Sequence, residues 1–190
     1  VSLKIMSKIF DPEVLHEIAK KGVGVPEDEM FDVVTKELVE AYPEHVHPTG
    51  RWIFNNAGGA MGALMLLHAS LSEYLIFFGS PIGTEGHSGR YVTEVYDFMM
   101  SGEMWCFHEG EFSRTVYKPG DAAYLGRNKT KGYRLPESGW MLEYARGPIL
   151  TMLPFGFLDV FSSTLDFRAW LRTLGDYGKL VTGSLMRGKI

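Results

Sequence analysis

Between Arg51 and about Arg146 the chain breaks into short runs of β-branched and aromatic residues, each closed by Gly, Pro or Asn: RWIFNN, ALMLLHAS, SEYLIFFGS, RYVTEVYDFMMSG, EMWCFHEG, RTVYKPGDAAYLG, KGYRLPESG and WMLEYARG. Runs this short, with a turn signal about every ten residues, predict an all-β barrel or sandwich. KPGD and PESG are clear turns.

The flanks read differently. Asp11-Pro12 caps a helix on which Val14, Leu15 and Ile18 keep helical spacing, and Gly22 and Gly24 break it. A second helix starts near Pro26, carries Met30, Val33, Val34, Leu38 and Val39 along one face, and ends before Pro43. After Gly147 the pattern returns to helix. GPILTMLPFGFLDVFSS is too apolar for a surface loop and too interrupted, by Pro154, Gly156 and Asp159, for an ordinary span. The last helix places Phe167, Trp170, Leu171, Leu174, Tyr177, Val181 and Leu185 at helical intervals, with Arg168, Arg172 and Lys179 on the other side and Arg187 and Lys189 beyond. Two readings fit that pattern: a helix lying in a membrane interface, or one packed on the β core with a solvated basic back. The expected organisation is 1–50 as N-terminal linker and helices, 51–147 as the β core and 148–190 as C-terminal helices, one domain overall.

Composition closes off several functions. A hydrophobic fraction of 45% with formal net charge −4 excludes a disordered chain and gives no support to nucleic-acid binding. A single cysteine, Cys106, excludes an internal disulfide framework and a cysteine-based zinc site. No apolar run reaches the ~18 residues of a membrane-spanning helix. The opening VSLKIMSK starts without Met and reads as the residue of a removed tag or anchor.

Three kinds of site can be weighed. His45-Val46-His47 has the spacing of some metal sites, but it lies in the turn-rich YPEHVHPTG and lacks matching ligands, so no metal is expected. Cys106 in WCF has no visible activating partner, and no GxSxG occurs. Carboxylates on strands are the third kind. Asp97 shares its face with Val95 and Met99, and Glu143 shares its face with Met141 and Ala145, because strand residues two apart point the same way. Glu73 repeats the pattern, with Tyr74, Ile76 and Phe78 on the opposite face. An acid on an apolar face costs several kcal/mol unless it is neutralised, paired or hydrogen-bonded, and burial pushes its pKa upward. Pairing with Arg90, Arg146 or backbone amides is the plain explanation. The other is that two carboxylates held close in an apolar cavity share one proton, so that one serves as acid and the other as base.

NNAGGAMGALMLLHASLSEYLIFFG, GTEGHSGRY, the Asp97 segment, WMLEYARG and LPFGFLDVFSSTLDF together resemble the family of the fungal C-8 sterol isomerases and the animal type 1 sigma receptor. The resemblance runs from about Asp11 to the C-terminus. It implies a mainly β fold with flanking helices: a cupin-like β-barrel around an occluded apolar pocket, N-terminal helices, and two C-terminal membrane-facing helices over the opening. It also implies a homotrimer in the endoplasmic reticulum membrane, held by an N-terminal anchor that this sequence starts just after. By the same resemblance, Asp97 and Glu143 match the two acidic pocket residues, Tyr74 a tyrosine bonded to the Glu143 position, and Glu73 an acid supporting the barrel from outside the pocket. Leu64, Leu66, Ile76, Phe78, Val95 and Tyr177 fall on the pocket wall, and Gly58 to Gly62 fall where subunits pack closely. GTEGHSGR, NNAGGAMG, LPFGFLD and the terminal MRGKI favour the isomerase branch.

That branch implies a cofactor-independent shift of a sterol double bond from C-8 to C-7. One of Asp97 and Glu143 protonates C-9, and a carboxylate takes a C-7 proton. His87 and Glu94 are candidates for setting the protonation state of the pair, with hydrogen bonding at strand ends as the alternative. Cationic amphiphilic amines, which imitate the carbocation, are the expected inhibitors. A receptor that binds the same ligands without chemistry is the alternative class, and a metal-dependent cupin oxygenase is a further one.

Overall fold

The computed structural model describes residues 8–189. Two helices come first, α1 (Pro12–Lys20) and α2 (Glu27–Ala41). The Asp11 side chain accepts from Glu13 N at 2.8 Å, which satisfies one of the orphan amides at the start of α1, and Pro12 occupies the first turn, where no amide is needed. Ten strands follow among the described residues: β1 (Ile53–Ala57), β2 (Ala60–Ala69), β3 (Glu73–Ser80), β4 (Thr84–His87), β5 (Glu94–Gly102), β6 (Met104–Phe107), β7 (Thr115–Tyr117), β8 (Ala122–Leu125), β9 (Gly132–Leu135) and β10 (Gly139–Arg146). The chain closes with α3 (Leu153–Asp159) and α4 (Phe167–Met186).

The strands form two sheets, ordered β1-β2-β3-β10-β5-β8 and β4-β9-β6-β7, rather than one closed barrel. Both faces of the larger sheet are covered. Leu15, Ile18, Met30, Val34 and Leu38 of the first two helices pack on Leu67, Leu75, Phe77, Phe98 and Leu142 of its outer face. Its inner face, with Leu64, Leu66, Ile76, Phe78, Met99 and Met141, shares a core with Met104, Cys106 and Leu135 of the smaller sheet and with Leu180 and Val181 of α4. Each fully covered Leu or Phe contributes roughly 1.5–3 kcal/mol. Because neither face meets water, β3 and β10 read as near-continuous apolar runs, and the few carboxylates in them mark where a face needs something other than packing.

The β1–β2 hairpin turns on Gly58 and Gly59, both at positive φ (62° and 87°), as a two-residue turn between Ala57 and its partner Ala60 requires. A Cβ on Gly58 would lie 2.3 Å from the His87 carbonyl oxygen, and one on Gly62 would lie 2.6 Å from that of Gly79. Gly58 and Gly62 are therefore needed for close packing inside the chain itself.

The C-terminal segment is more broken than two plain helices. A 3₁₀ turn (Ile149–Thr151) leads into α3, a π turn (Val160–Thr164) follows, and Leu165 at φ 53° ends it. α4 then starts afresh, with the Asp166 side chain accepting from Ala169 N at 3.0 Å. The buried side of α4 is Asp176, Leu180, Val181 and Ser184, whereas Phe167, Leu171 and Leu185 are exposed. Asp176 is tolerated there because Arg51 binds it through two nitrogens. Lys189, which follows the last helix, is buried against Glu73 at 2.5 Å. No helix among the described residues is long and apolar enough to cross a membrane.

Candidate functional site

The register of β10 against β5 places Glu143 directly opposite Asp97, and that of β10 against β3 places Glu143 opposite Ile76, next to Tyr74 on the same face. Directly opposed residues have Cβ atoms roughly 4.5–5.5 Å apart on one face of the sheet. Both acids face a cavity between the two sheets, roofed by Met152, Leu153 and Phe155 at α3 and by Tyr177 of α4. The remaining wall is mostly apolar.

The two acids are held differently. Asp97 Oδ2 lies 2.5 Å from Lys131 Nζ, with side chains only 6% and 7% exposed. Lys131 immediately precedes β9 and points the same way as Tyr133 and Leu135, so the ion pair spans from the edge of the small sheet to the middle of the large one. Burial pulls the Lys131 ammonium down, but the Asp97 carboxylate, with help from Cys106 and Glu143, more than offsets it and holds the pKa above the usual lysine value. Asp97 is accordingly a paired carboxylate.

Among the described residues Glu143 has no cationic partner in contact. Tyr74 donates its hydroxyl to Glu143 Oε1 in a short hydrogen bond. Burial, reinforced by the nearby Asp97 charge, raises the Glu143 carboxyl to about 7, against the opposing pulls of Tyr74 and Lys131. Its remaining accessible surface opens on the cavity. Burial also pushes the Tyr74, Tyr91 and Tyr133 hydroxyls well above the ordinary phenol and that of Tyr177 to about 12, so these rings line the site as neutral groups. At neutral pH the cavity thus offers one carboxyl poised to give up a proton beside one carboxylate.

The structure brings Asp97, Glu143, Tyr74, His87, Leu64, Leu66, Ile76, Phe78, Val95 and Tyr177 to this one cavity. His87 sits at its exposed rim, where its Nδ1 accepts from Gly89 N at 2.9 Å. Glu94 is not brought in. It lies three residues before Asp97 and so on the opposite face of β5, where Arg146 Nε holds it at 2.6 Å and Tyr124 donates to it at 3.1 Å. The role expected of Glu94 in setting the protonation of the pair is therefore corrected to an outer-face ion pair. Glu73 is also outside the cavity, on the helix-covered face. It accepts from Ile9 N at 3.0 Å, from the Tyr144 hydroxyl at 2.5 Å and from Lys189, tying both ends of the described chain to β3.

His45 and His47 do not converge on a metal site. His47 Nε2 lies 3.1 Å from the Glu44 carbonyl oxygen, and His68 Nδ1 lies 2.8 Å from that of His45. Among the described residues no cluster of three or more histidine, cysteine or acidic side chains could hold an ion. Sequence reasoning missed Lys131, Tyr91 and Tyr133. In KGYRL the strand alternation that singled out Asp97 and Glu143 also puts Lys131 on an apolar face with Tyr133 and Leu135, and that signal was there to read.

Comparison with known proteins shows the family of the chain. The family model described as ERG2 and Sigma1 receptor like protein matches residues 2–189. "Protein erg2 homolog" of Dictyostelium discoideum is 43% identical over 187 residues, covering 98% of this chain and 80% of that protein. "C-8 sterol isomerase ERG2" of Gibberella zeae is 43% identical over 185 residues, with 96% and 79% covered. "C-8 sterol isomerase erg2" of Aspergillus fumigatus is 43% identical over 185 residues, with 95% and 77% covered. Among solved structures, an RmlC-like cupin from Shewanella frigidimarina superposes with a TM-score of 0.44 at 17% identity, over 55% of this chain and 90% of that one, a likeness too slight to bear on function. With a match along nearly its whole length and relatives this similar, the chain belongs to the ERG2 and sigma-1-receptor-like family.

Proposed function

We propose that the protein is a C-8 sterol isomerase, shifting the C-8 double bond of a sterol to C-7 by proton transfer within the Asp97–Glu143 cavity. The observation that carries this reading is the directly opposed pair itself: two carboxylates on neighbouring strands, facing an apolar cavity, one paired with a lysine and the other raised by burial to about 7. The names of the relatives from Gibberella zeae and Aspergillus fumigatus support the same chemistry.

In this reading Glu143 donates its proton to C-9, leaving positive charge at C-8. The Asp97 carboxylate, on the next strand, takes the C-7 proton. Substrate and product are isomers, so one proton enters and one leaves. Return of the proton from Asp97 to Glu143, across a single strand spacing, resets the site. Alkenes are weak bases, so the cation needs support: the new Glu143 carboxylate supplies it, together with the faces of Tyr74, Phe78 and Tyr177 at about 0.5–2 kcal/mol each. A protonated amine on an apolar scaffold reproduces that charge, which makes cationic amphiphilic amines the expected inhibitors.

Leu158, Phe161, Leu165, Phe167 and Leu171 are exposed around the α3–α4 junction, beside the exposed Arg168 and Arg172. This surface supports a protein that rests on a lipid face of the endoplasmic reticulum and takes its sterol from there. A homotrimer is part of the same proposal. Incubating the purified chain with a C-8 sterol in detergent tests the reading: the C-7 isomer should accumulate with wild type and not with Glu143→Gln. A folded chain that binds amines but leaves the sterol unchanged would be a ligand-binding protein without this chemistry.

A further inference from the structure

We propose that Lys131 is a positioning residue: by pairing with Asp97 across the gap between the two sheets, it fixes Asp97 as the carboxylate, leaves the exchangeable proton to Glu143, and keeps the resting cavity electrically neutral. The part Lys131 plays in turnover rests on the isomerase reading; its effect on cavity charge does not.

The geometry singles out this lysine. Its backbone is fixed by a reciprocal pair of contacts with Ser88, whose N–H donates to Lys131 O at 2.9 Å and whose hydroxyl accepts from Lys131 N at 3.0 Å. The preceding loop is held in turn, with Asn128 N donating to Tyr91 O at 2.6 Å and Arg90 donating to Asn128 O at 2.7 Å. The ammonium thus reaches Asp97 from a braced strand end. A surface lysine needs no such arrangement, and a buried one costs several kcal/mol unless paired.

Its consequence follows from the charges around Glu143. Asp97 faces it from β5, Tyr74 from β3, Tyr133 from β9 and Tyr177 from α4. Tyr91, Lys131 and the rim residue His87 come from the loops and strand of the opposite wall, and Cys106 of β6 lies close to Lys131 and Asp97. The tyrosines and the buried thiol stay protonated, so Asp97, Lys131 and Glu143 set the charge. With Lys131 present, the protonated Glu143 state sums to zero. Without it, two carboxylates in a dry cavity share one proton and the pair carries a net negative charge. Such a cavity holds its last proton more tightly and attracts cations, which makes it a worse acid and a better amine receptor.

Two measurements on Lys131→Met read this out. The first is the pH profile of turnover. Wild-type activity should fall as pH rises through the Glu143 titration, whereas K131M should lose at least tenfold in plateau rate and keep activity to about one pH unit higher. K131R should restore the wild-type limb. The second is binding of dodecyltrimethylammonium, whose charge does not titrate, below its micellar concentration at pH 6. K131M should bind it about tenfold more tightly than wild type or better, and K131M/D97N, which removes both charges, should return to the wild-type affinity. If K131M does not fold, K131Q, which removes the same charge but keeps a hydrogen-bond donor for Asp97, makes the same comparison and should bind the ammonium about tenfold more tightly than wild type. An unchanged limb together with equal affinities overturns the proposal and assigns Lys131 to packing alone. A wild type that binds the ammonium but does not isomerise sinks the isomerase reading and leaves the effect on cavity charge to be decided by the binding arm.

Discussion

Replacing Glu143 with Gln removes a group that must change charge as pH rises and leaves one of the same shape that does not. The Gln carbonyl oxygen can still accept from the Tyr74 hydroxyl, so the cavity wall keeps its contact. In the folded wild type, burial and the Asp97 charge raise the carboxyl to about 7, against an ordinary 4.5. The folded state therefore binds more protons than the unfolded chain between these values, and stability falls as pH rises through that window. The loss begins above the unfolded value and is complete once Glu143 is ionised in the fold. From pH 5 to pH 8 this amounts to about 2–3 kcal/mol, at 1.36 kcal/mol per pH unit of differential titration. Glu143→Gln should escape it. Thermal unfolding in one detergent should show the variant close to wild type at pH 5 and about 5–10 °C more stable at pH 8, while sterol isomerisation is abolished. An active site that is both required for turnover and costly to stability is the signature sought. A variant no more stable than wild type at pH 8 would mean that Glu143 ionises without penalty, and the assignment of Glu143 as the proton donor would lose its physical basis.

Further outcomes follow from the same geometry. Turnover should be flat below neutrality and fall about tenfold per pH unit above about pH 7, because the acid must be protonated; a rate that rises with pH would reverse the assignment of acid and base. Glu94→Ala should leave kcat within about twofold of wild type, since Glu94 lies on the outer face with Arg146, and a large loss in a steady-state assay would return it to the site. Glu73→Ala should lower unfolding free energy by about 3–5 kcal/mol in denaturant titration, because it removes the buried carboxylate that pairs with Lys189 and accepts from the Tyr144 hydroxyl and the Ile9 amide; a loss under about 1 kcal/mol would show that the clasp is unimportant. Gly58→Ala should cost more than about 2 kcal/mol by the same measurement, through its left-handed backbone and the clash with the His87 carbonyl.

Much of this architecture can be read from local rules. Asp11-Pro12 and the spacing of Met30, Val34 and Leu38 give α1 and α2, because capping and one-sided burial are properties of contiguous residues. Strand alternation places Tyr74, Ile76 and Phe78 on one face and Glu73 on the other, as observed. Asp97 and Glu143 become neighbours only through the β10–β5 register, which no local pattern specifies. Of the two roles open to Glu94 from sequence, hydrogen bonding at a strand end is the one that matches its pair with Arg146, and its odd separation from Asp97 points it outward. Lys131 is legible by the same alternation, as a base rather than an acid on an apolar face. The C-terminal segment was legible as helix but not in its burial: Asp176 and Lys189 are buried by long-range partners, Arg51 and Glu73, that helical periodicity cannot supply.

The most direct test runs the reaction in heavy water. Purified chain, equilibrated in deuterated buffer below pH 7 and held in excess over a C-8 sterol in detergent so that each molecule turns over once, should release the C-7 isomer with one deuterium at C-9, because the first proton delivered there comes from an exchanged carboxyl. Glu143→Gln should give neither product nor label. Product formed without deuterium at C-9, or formed equally by the Gln variant, would contradict proton delivery by Glu143.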